Sequence, residues 1–157
     1  MTELSQPELL SALTRMIRGA QHVCHFSADE VATQLGRPLQ SNAEGPVYFG
    51  TELALADGSK FMVLGVGAIS PPANRLDLEF EPAPGQCPLS VATLQPVLTD
   101  AGATPAQWQA PMRFGSVAEW DSMAGSLLIT ATVDGKYGAV DTDACIQRIS
   151  LHILGEH

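Results

Sequence analysis

The sequence predicts a single α+β domain over residues 1–157, with a mainly antiparallel sheet of about five to seven strands and two or three helices packed on one face. Three observations predict this class. Capping signals precede segments with helical spacing of apolar residues, other segments alternate between apolar and polar residues, and tight turns join consecutive strands. A chain of 157 residues has the usual length of one domain.

Capping residues mark the first two helices. Ser5 followed by Glu8 is a capping box, and apolar residues at helical spacing continue from there to Ala20. Ser27 repeats the signal and predicts a short second helix that ends at Gly36, because glycine readily adopts the left-handed conformation in which helices commonly end. Two helices are therefore expected before the first strand.

A third helix is expected in the middle of the chain. Ser90 is its predicted N-cap, and Gly102 is expected to end it. Because Pro96 would remove a backbone hydrogen bond from the helix interior, we expect the helix to begin late, near Thr93. One further helical turn is predicted over residues 104–107.

Seven segments carry strand patterns. The third alternates without interruption, with three apolar side chains on one side and four charged side chains on the other. The last also fits helical spacing, but its β-branched content favours a strand. The irregular segment Trp108–Met123 has a composition that suits either an interface or the end of a core. The predicted strands are Val47–Leu55, Lys60–Ile69, Arg75–Glu81, Met112–Val117, Leu127–Val133, Tyr137–Val140 (after a turn at Asp134-Gly135) and Cys145–Leu154.

Asp57-Gly58 predicts the turn of the first hairpin. A two-residue Asp-Gly loop between alternating apolar runs is a strong hairpin signal, and it would place Leu53 opposite Met62. In that register one face is apolar and buried, and the other gathers three glycines. The predicted pairs on the glycine face are Ala54 with Phe61, Glu52 with Val63, Gly50 with Gly65 and Tyr48 with Gly67.

The glycine face is the predicted docking surface. Glycine inside a strand often marks close approach by another group, and the carboxylates of the third strand would extend the same surface if the strands are adjacent. As catalytic acids those carboxylates would need a cleft, which a solvent-facing strand does not offer. The candidate partner-binding residues are Tyr48, Gly50, Glu52, Phe61, Val63, Gly65, Gly67, Asp77, Glu79 and Glu81.

The charge of the chain restricts its partners. The formal net charge is −9, and the eight Lys and Arg residues are scattered. Nucleic acids and anionic membranes require clustered cations, so neither is expected as a partner. A basic protein is electrostatically favoured, although an acidic surface also serves solubility alone.

The N-terminal segment and the cysteines bear on the compartment. The segment begins with acidic residues, and the chain has no apolar run of the length that a membrane span requires. A cytoplasmic protein is therefore expected, or a periplasmic or secreted one if a signal peptide was removed. Three cysteines, Cys24, Cys87 and Cys145, allow at most one internal disulfide; a cytoplasmic location favours three buried thiols, and export favours one bridge.

No motif predicts catalysis, a metal or a cofactor. The segment His22–His25 holds two histidines and a cysteine but lacks a second cluster for zinc. The glycines of residues 65–70 lack the third glycine and the helix of a dinucleotide site. Asp141-Thr142-Asp143 lacks the glycine and glutamate of a calcium loop. We therefore expect no catalytic residues, no metal site and no cofactor.

Two resemblances point to proteins that hold other proteins. The segment from Asp29-Glu30-Val31 to Leu35-Gly36-Arg37-Pro38 looks locally like the helix that opens small inhibitor and outer-membrane-assembly modules of the β-lactamase-inhibitor type. The predicted order of helix, three strands and helix is similar to that of secretion chaperones of the α/β class. Both resemblances imply a non-catalytic protein and assign no role to any residue.

Three functional hypotheses follow. The first is a non-enzymatic protein-binding module, such as a chaperone, adaptor, inhibitor or immunity-type protein, that holds its partner on an acidic, glycine-bared sheet face. The second is a small-molecule-binding protein or minor enzyme with a pocket between helices and sheet that uses Cys24, Glu52 or Trp108. The third is a homodimer formed through the glycine face, which like charges disfavour.

Overall fold

The computed structural model describes residues 3–40, 47–67, 73–109, 117–134 and 142–154. The described residues form three helices and one seven-stranded antiparallel sheet, which confirms the predicted α+β class. The elements are α1 (Gln6–Ala20), α2 (Ala28–Leu35), β1 (Val47–Ala54), β2 (Lys60–Val66), β3 (Arg75–Glu81), α3 (Val91–Asp100), β4 (Gln107–Gln109), β5 (Val117–Ala124), β6 (Leu127–Asp134) and β7 (Ile146–Ile153).

The sheet consists of two meanders that meet in its centre. Its strand order is β1-β2-β3-β7-β6-β5-β4, so β3 of the first meander pairs with β7, the last strand of the chain. Helix α3 lies between the two meanders in sequence. The antiparallel pairing therefore brings residues of the third and last strands side by side in the middle of the sheet.

The capping signals place the first two helices as predicted. The Ser5 hydroxyl accepts a hydrogen bond from the Glu8 backbone N–H at 3.3 Å, and the Glu8 carboxylate accepts one from the Ser5 N–H at 3.2 Å. The bond from the Ser5 N–H to the carboxylate, and secondly the Ser5 side chain, lower the pKa of Glu8. Helix α2 follows Ser27 and ends at Gly36, whose φ of 70° is left-handed.

Helix α3 begins at Val91, earlier than expected. Ser90 and Thr93 cap each other, with the Ser90 N–H donating to the Thr93 hydroxyl at 2.8 Å. Pro96 lies inside the helix and removes the bond that the Ala92 carbonyl would accept. Both residues are exposed, so water can solvate that carbonyl. The hydrogen bonds of the cap therefore stabilise a helix start at Val91 more than Pro96 destabilises the helix.

The segment after α3 is extended rather than helical. The predicted turn of helix over residues 104–107 is wrong, because the Thr104 N–H donates to the Met123 carbonyl of β5 at 2.9 Å and Gln107 already belongs to β4. Strand β5 starts at the C-terminal end of the predicted Met112–Val117 strand. Most of that predicted strand, the turn at Asp134-Gly135 and the strand Tyr137–Val140 fall outside the described residues. The final strand is confirmed.

The hydrophobic core lies between the helices and one sheet face, which we call the inner face. Each strand contributes alternate side chains to it, and α1 covers it with its own apolar side. Burying this much apolar surface is the main stabilising contribution to such a fold. The largest fully buried side chains are Leu9, Leu13, Met16, Ile17, Leu35, Phe61, Leu76, Leu78, Leu89, Leu94, Leu98 and Leu127.

The β1–β2 loop has three residues, not two. The Leu55 N–H donates to the Ser59 carbonyl at 2.8 Å, and the Gly58 N–H donates to the Leu55 carbonyl at 3.1 Å. Gly58 has a φ of 91°, as expected for a type I turn followed by a left-handed residue. The extra residue shifts the register by one position, so Leu53 pairs with Phe61 and not with Met62.

The shifted register reassigns the faces of the hairpin. Phe61, Val63 and Gly65 lie on the inner face and are buried. Gly65 pairs with Phe49, and a Cβ built on Gly65 would stand 2.2 Å from the Phe49 ring. The glycine is thus required because the ring occupies the space of a side chain. The prediction that three glycines lie together on one exposed face is therefore wrong.

A disulfide joins the loop before α3 to the residue before β7. Cys87 and Cys145 are bridged with their Cα atoms 5.6 Å apart and 58 residues apart in sequence. Next to the bridge the Ile146 N–H donates to the Leu89 carbonyl at 2.8 Å. Cys24 is free and exposed. The expectation of three buried thiols is therefore wrong, and the alternative of one bridge and one thiol is correct.

Gly65→Ala is expected to lower the free energy of unfolding by about 1–3 kcal/mol, because the added methyl group overlaps the Phe49 ring. Urea denaturation of the purified variant measures this loss. In a Phe49→Leu background the same change should cost clearly less, since the ring is gone. Equal stability of Gly65→Ala and the wild type would contradict the register.

Replacing both bridged cysteines with serine is expected to lower the free energy of unfolding by about 4 kcal/mol, since the bridge restricts a loop of 58 residues in the unfolded chain. Denaturation without reductant measures the difference. Cys24→Ser is the control, and its stability should remain within about 0.5 kcal/mol of the wild type. A loss of similar size in Cys24→Ser would contradict the assignment of the bridge.

Candidate functional site

The sheet face that turns away from the core is the candidate site, and we call it the outer face. It is formed by the alternate side chains of β1 to β7 that do not enter the core. Among the side chains that the structure describes there, carboxylates outnumber Lys and Arg residues by two to one. The carboxylates are Glu52, Asp77, Glu79, Glu81, Glu119 and Asp121, and the cations are Lys60, Arg75 and Arg148.

The strand registers align these side chains in rows across the sheet. Two rows hold most of the carboxylates. The first, which we call the Asp77 row, runs Leu64, Asp77, Ser150, Thr130, Asp121 and Gln107. The second, which we call the Glu79 row, runs Glu52, Met62, Glu79, Arg148, Thr132, Glu119 and Gln109.

Two carboxylates of the Glu79 row have ion-pair partners, one within the row and one in the adjacent row. Arg148 on β7 contacts Glu79 on β3 at 2.6 Å, and Lys60 lies 3.8 Å from Glu52. These side chains are between 40% and 55% exposed, so each pair contributes little to stability, about 0–1 kcal/mol. Glu119 at the far end of the row makes no ion pair with any residue that the structure describes.

The Asp77 row contains carboxylate oxygens without partners. Asp77 is only 3% exposed although it lies on the outer face, and its Oδ2 is 3.2 Å from Arg75 Nη2. Its Oδ1 is buried without a hydrogen-bond partner, as is Oδ1 of Asp121. An unpaired buried acceptor costs about 1–3 kcal/mol, and more when it is charged. Two positions of one row thus carry unsatisfied acceptors.

Five of the predicted binding residues share the outer face, and three do not. Gly50, Glu52, Asp77, Glu79 and Glu81 lie on it, whereas Phe61, Val63 and Gly65 are buried on the inner face. Gly67 follows β2 and is buried. Tyr48 belongs to β1, but its side chain is outside the description. The predicted carboxylates thus share one face with Gly50, whereas Phe61, Val63, Gly65 and Gly67 are buried.

The outer face also includes residues that the sequence analysis did not assign to a site. Glu119 and Asp121 come from β5, and Thr130, Arg148 and Ser150 come from β6 and β7. The alternation of Glu119, Asp121 and Met123 with small or aromatic residues was the available signal. Small buried residues such as Ala118 and Ser122 make that alternation weak.

The residues suggested for a small-molecule pocket lie in three separate places. Glu52 is on the outer face, Trp108 is on the inner side of the opposite edge strand, and Cys24 is exposed in the connection after α1. A cleft of about 370 Å³ opens elsewhere. Its lining is Leu4, Ser5, Gln6, Leu9, Leu55, Ala56, Asp57, Gln86, Cys87 and Pro88.

The described residues show neither a metal centre nor a membrane-spanning helix. Among them, no three His, Cys, Asp or Glu side chains are grouped so that they could hold a metal ion. His22, Cys24 and His25 are exposed in the connection between α1 and α2. In the same part of the chain no helix has the length and apolar character needed to cross a membrane.

Comparison with known proteins adds no assignment: no family model, no curated protein and no solved structure matches this chain. The function is therefore argued from the outer face itself.

Proposed function

We propose that this chain is a non-enzymatic protein-binding module, of the chaperone, adaptor, inhibitor or immunity type, that holds a basic partner on its outer face. The observation that carries the proposal is the excess of carboxylates on the sheet face opposite the helices. Glu81, Glu119 and Asp121 make no ion pair with any described residue, so the face retains negative charge for a partner.

The apolar content of the outer face supports the same proposal. Met62 in the Glu79 row and Leu64 in the Asp77 row are half-buried, as is Leu128 in the adjacent row, and Met123 is exposed. Protein interfaces combine apolar contacts with a polar rim, and methionine is enriched in them. Charge complementarity would then accelerate association and exclude acidic partners. A second copy of this chain is disfavoured as the occupant because it carries the same negative charge.

The disulfide bears on where this binding takes place. Structural disulfides persist in oxidising compartments and are rare in the cytosol. The Cys87–Cys145 bridge therefore favours a periplasmic or secreted location over the cytoplasmic one expected from the sequence. The partner is accordingly sought in extracytoplasmic fractions as well as in the cytoplasm.

A charge-reversal pair is expected to abolish partner capture. Glu81→Lys with Glu119→Lys changes two exposed outer-face carboxylates that make no described ion pair, so the fold should remain intact. Quantitative affinity capture from cytoplasmic and extracytoplasmic fractions of the native host, with the bridge oxidised, measures binding. We expect a stoichiometric basic partner that this variant loses.

The matched control is Glu3→Lys with Asp100→Lys, which changes the net charge equally at two exposed residues outside the sheet. The control should retain the partner. Loss of the partner with both variants would indicate a nonspecific charge effect and contradict the proposal. Retention with both variants would place the partner on another surface.

The cleft beside the start of α1 gives the small-molecule hypothesis a location. Its volume of about 370 Å³ lies within the usual range of ligand pockets, and it combines the buried side chains of Leu4, Leu9 and Leu55 with polar groups of Gln6 and Asp57. If capture finds no partner, this cleft is the site to test by ligand screening.

A further inference from the structure

We propose that the Asp77 row binds an extended segment of the partner that carries two cationic side chains four residues apart. This inference rests on the proposed function and specifies the chemistry of the partner. It depends on the unsatisfied carboxylate oxygens of Asp77 and Asp121 and on the distance between these two aspartates.

The Asp77 row keeps negative charge that the described chain does not pair. Its only described cation contact is that of Arg75 with Oδ2 of Asp77. Asp121 makes no ion pair with any described residue, just as Glu119 makes none in the Glu79 row. One full carboxylate charge of the Asp77 row is therefore available to a partner.

Asp77 is almost completely buried. Its residue exposure is 3%, and its Oδ1 has no hydrogen-bond partner among the described residues. Carboxylates are rarely so buried unless they are paired on both oxygens. Asp121 has the same unsatisfied oxygen at the other end of the row. Each of these oxygens has capacity for one further hydrogen bond, and because both are covered in this structure, a donor of the partner reaches them only when neighbouring side chains move aside.

The residues between the two aspartates of the row are polar. Ser150 and Thr130 lie between them in the row, and their hydroxyls make no hydrogen bond with the described part of the chain. Hydroxyls can donate and accept, so they can bond to a backbone laid over them. The row is therefore a continuous polar track between two carboxylates.

The spacing identifies the segment. Asp77 is on β3 and Asp121 is on β5, with β7 and β6 between them, so the two residues lie three strand spacings apart, or about 14 Å. In an extended peptide, side chains four residues apart point to the same side and lie about 13–14 Å apart. Two lysines or arginines at that spacing match the two aspartates.

Arg75 is the intramolecular cation that such a side chain would meet first. It is held to Asp77 by one contact of 3.2 Å, and its side chain is 44% exposed. An exposed arginine with a single ion pair can turn away at low cost. We therefore expect the partner's cation to compete with Arg75 for Asp77.

The test uses two synthetic nine-residue peptides of identical composition, in a Ser/Thr/Gly background with two lysines. One places the lysines at positions 3 and 7, and the other at positions 3 and 6, which point to opposite sides of an extended chain. Isothermal titration at low salt measures their affinities for the intact, oxidised protein. We expect the first peptide to bind about tenfold more tightly, as for one charge-assisted hydrogen bond.

Variants of the protein test whether the difference in affinity between the two peptides depends on the Asp77 row. Asp77→Asn and Asp121→Asn should each remove the preference, whereas Asp100→Asn, at an exposed position at the end of α3, should keep it. Arg75→Gln should strengthen binding of the first peptide several-fold, a gain that a merely structural role of Asp77 would not produce. If Asp77→Asn does not fold, Asp121→Asn and Ser150→Ala carry the test.

Other outcomes overturn the inference in distinguishable ways. Both peptides could bind equally well, with the binding lost in the Glu81→Lys, Glu119→Lys variant. That result would support the acidic outer face as the docking surface but would contradict the role of the Asp77 row. Binding of neither peptide would exclude the spacing, and the capture experiment would then decide the proposed function. Chemical-shift changes at Asp77 and Asp121 with Ca²⁺ or Mg²⁺ alone would assign the row to a metal ion instead. Self-association through the row would assign it to a second copy.

Discussion

The left-handed glycine that closes the β1–β2 loop determines which side chains of the first hairpin enter the core. With Gly58 at a φ of 91° the loop takes three residues, and a shift of one position in a strand pairing exchanges its two faces. The observed register buries Phe61 and Val63 beneath the helices. It also places Met62 and Leu64 of β2 on the outer side with Glu52 and the carboxylates of β3, so the β2 side chains of the outer face depend on this loop.

The outer face then follows from the pairing of β3 with β7 in the centre of the sheet. That pairing sets Asp77 beside Ser150 and, through β6, in line with Asp121. A solvated sheet face would be expected to carry exposed, mixed charges. Here two carboxylates of the Glu79 row are ion-paired, whereas the Asp77 row holds a carboxylate that is 3% exposed and has one oxygen without a hydrogen-bond partner among the described residues. Such an arrangement is costly for a monomer, and a partner that donates to it would offset the cost.

Local signals predicted the local elements well. Ser5 and Ser27 placed the starts of α1 and α2, and the alternation of Leu76, Leu78 and Phe80 assigned both sides of β3. The acidic residues of β3 were therefore correctly directed away from the core. The predicted late start of α3, which was based on Pro96, was wrong because the mutual caps of Ser90 and Thr93 determine where the helix begins.

Features that depend on distant contacts could not be predicted from the sequence in the same way. Asp57-Gly58 fits both a two-residue and a three-residue loop, and only packing of the Phe49 ring over Gly65 selects between them. The position of β7 beside β3 joins residues 69 to 77 positions apart in sequence. Without knowledge of that pairing, the sequence gives no sign that Asp121 and Asp77 lie in one row across the sheet.

The most direct test of this account is the proton NMR spectrum of the β1–β2 hairpin. If Gly65 lies under the Phe49 ring, its α-proton resonance is shifted upfield by the ring current and shows nuclear Overhauser contacts to the Phe49 ring protons, with Leu53 contacting Phe61. Contacts of Leu53 with Met62 and of Gly65 with Gly50, without an upfield shift, would restore the two-residue loop. The side of β2 described as outer, with Met62 and Leu64, would then be the buried one, and the account would be wrong.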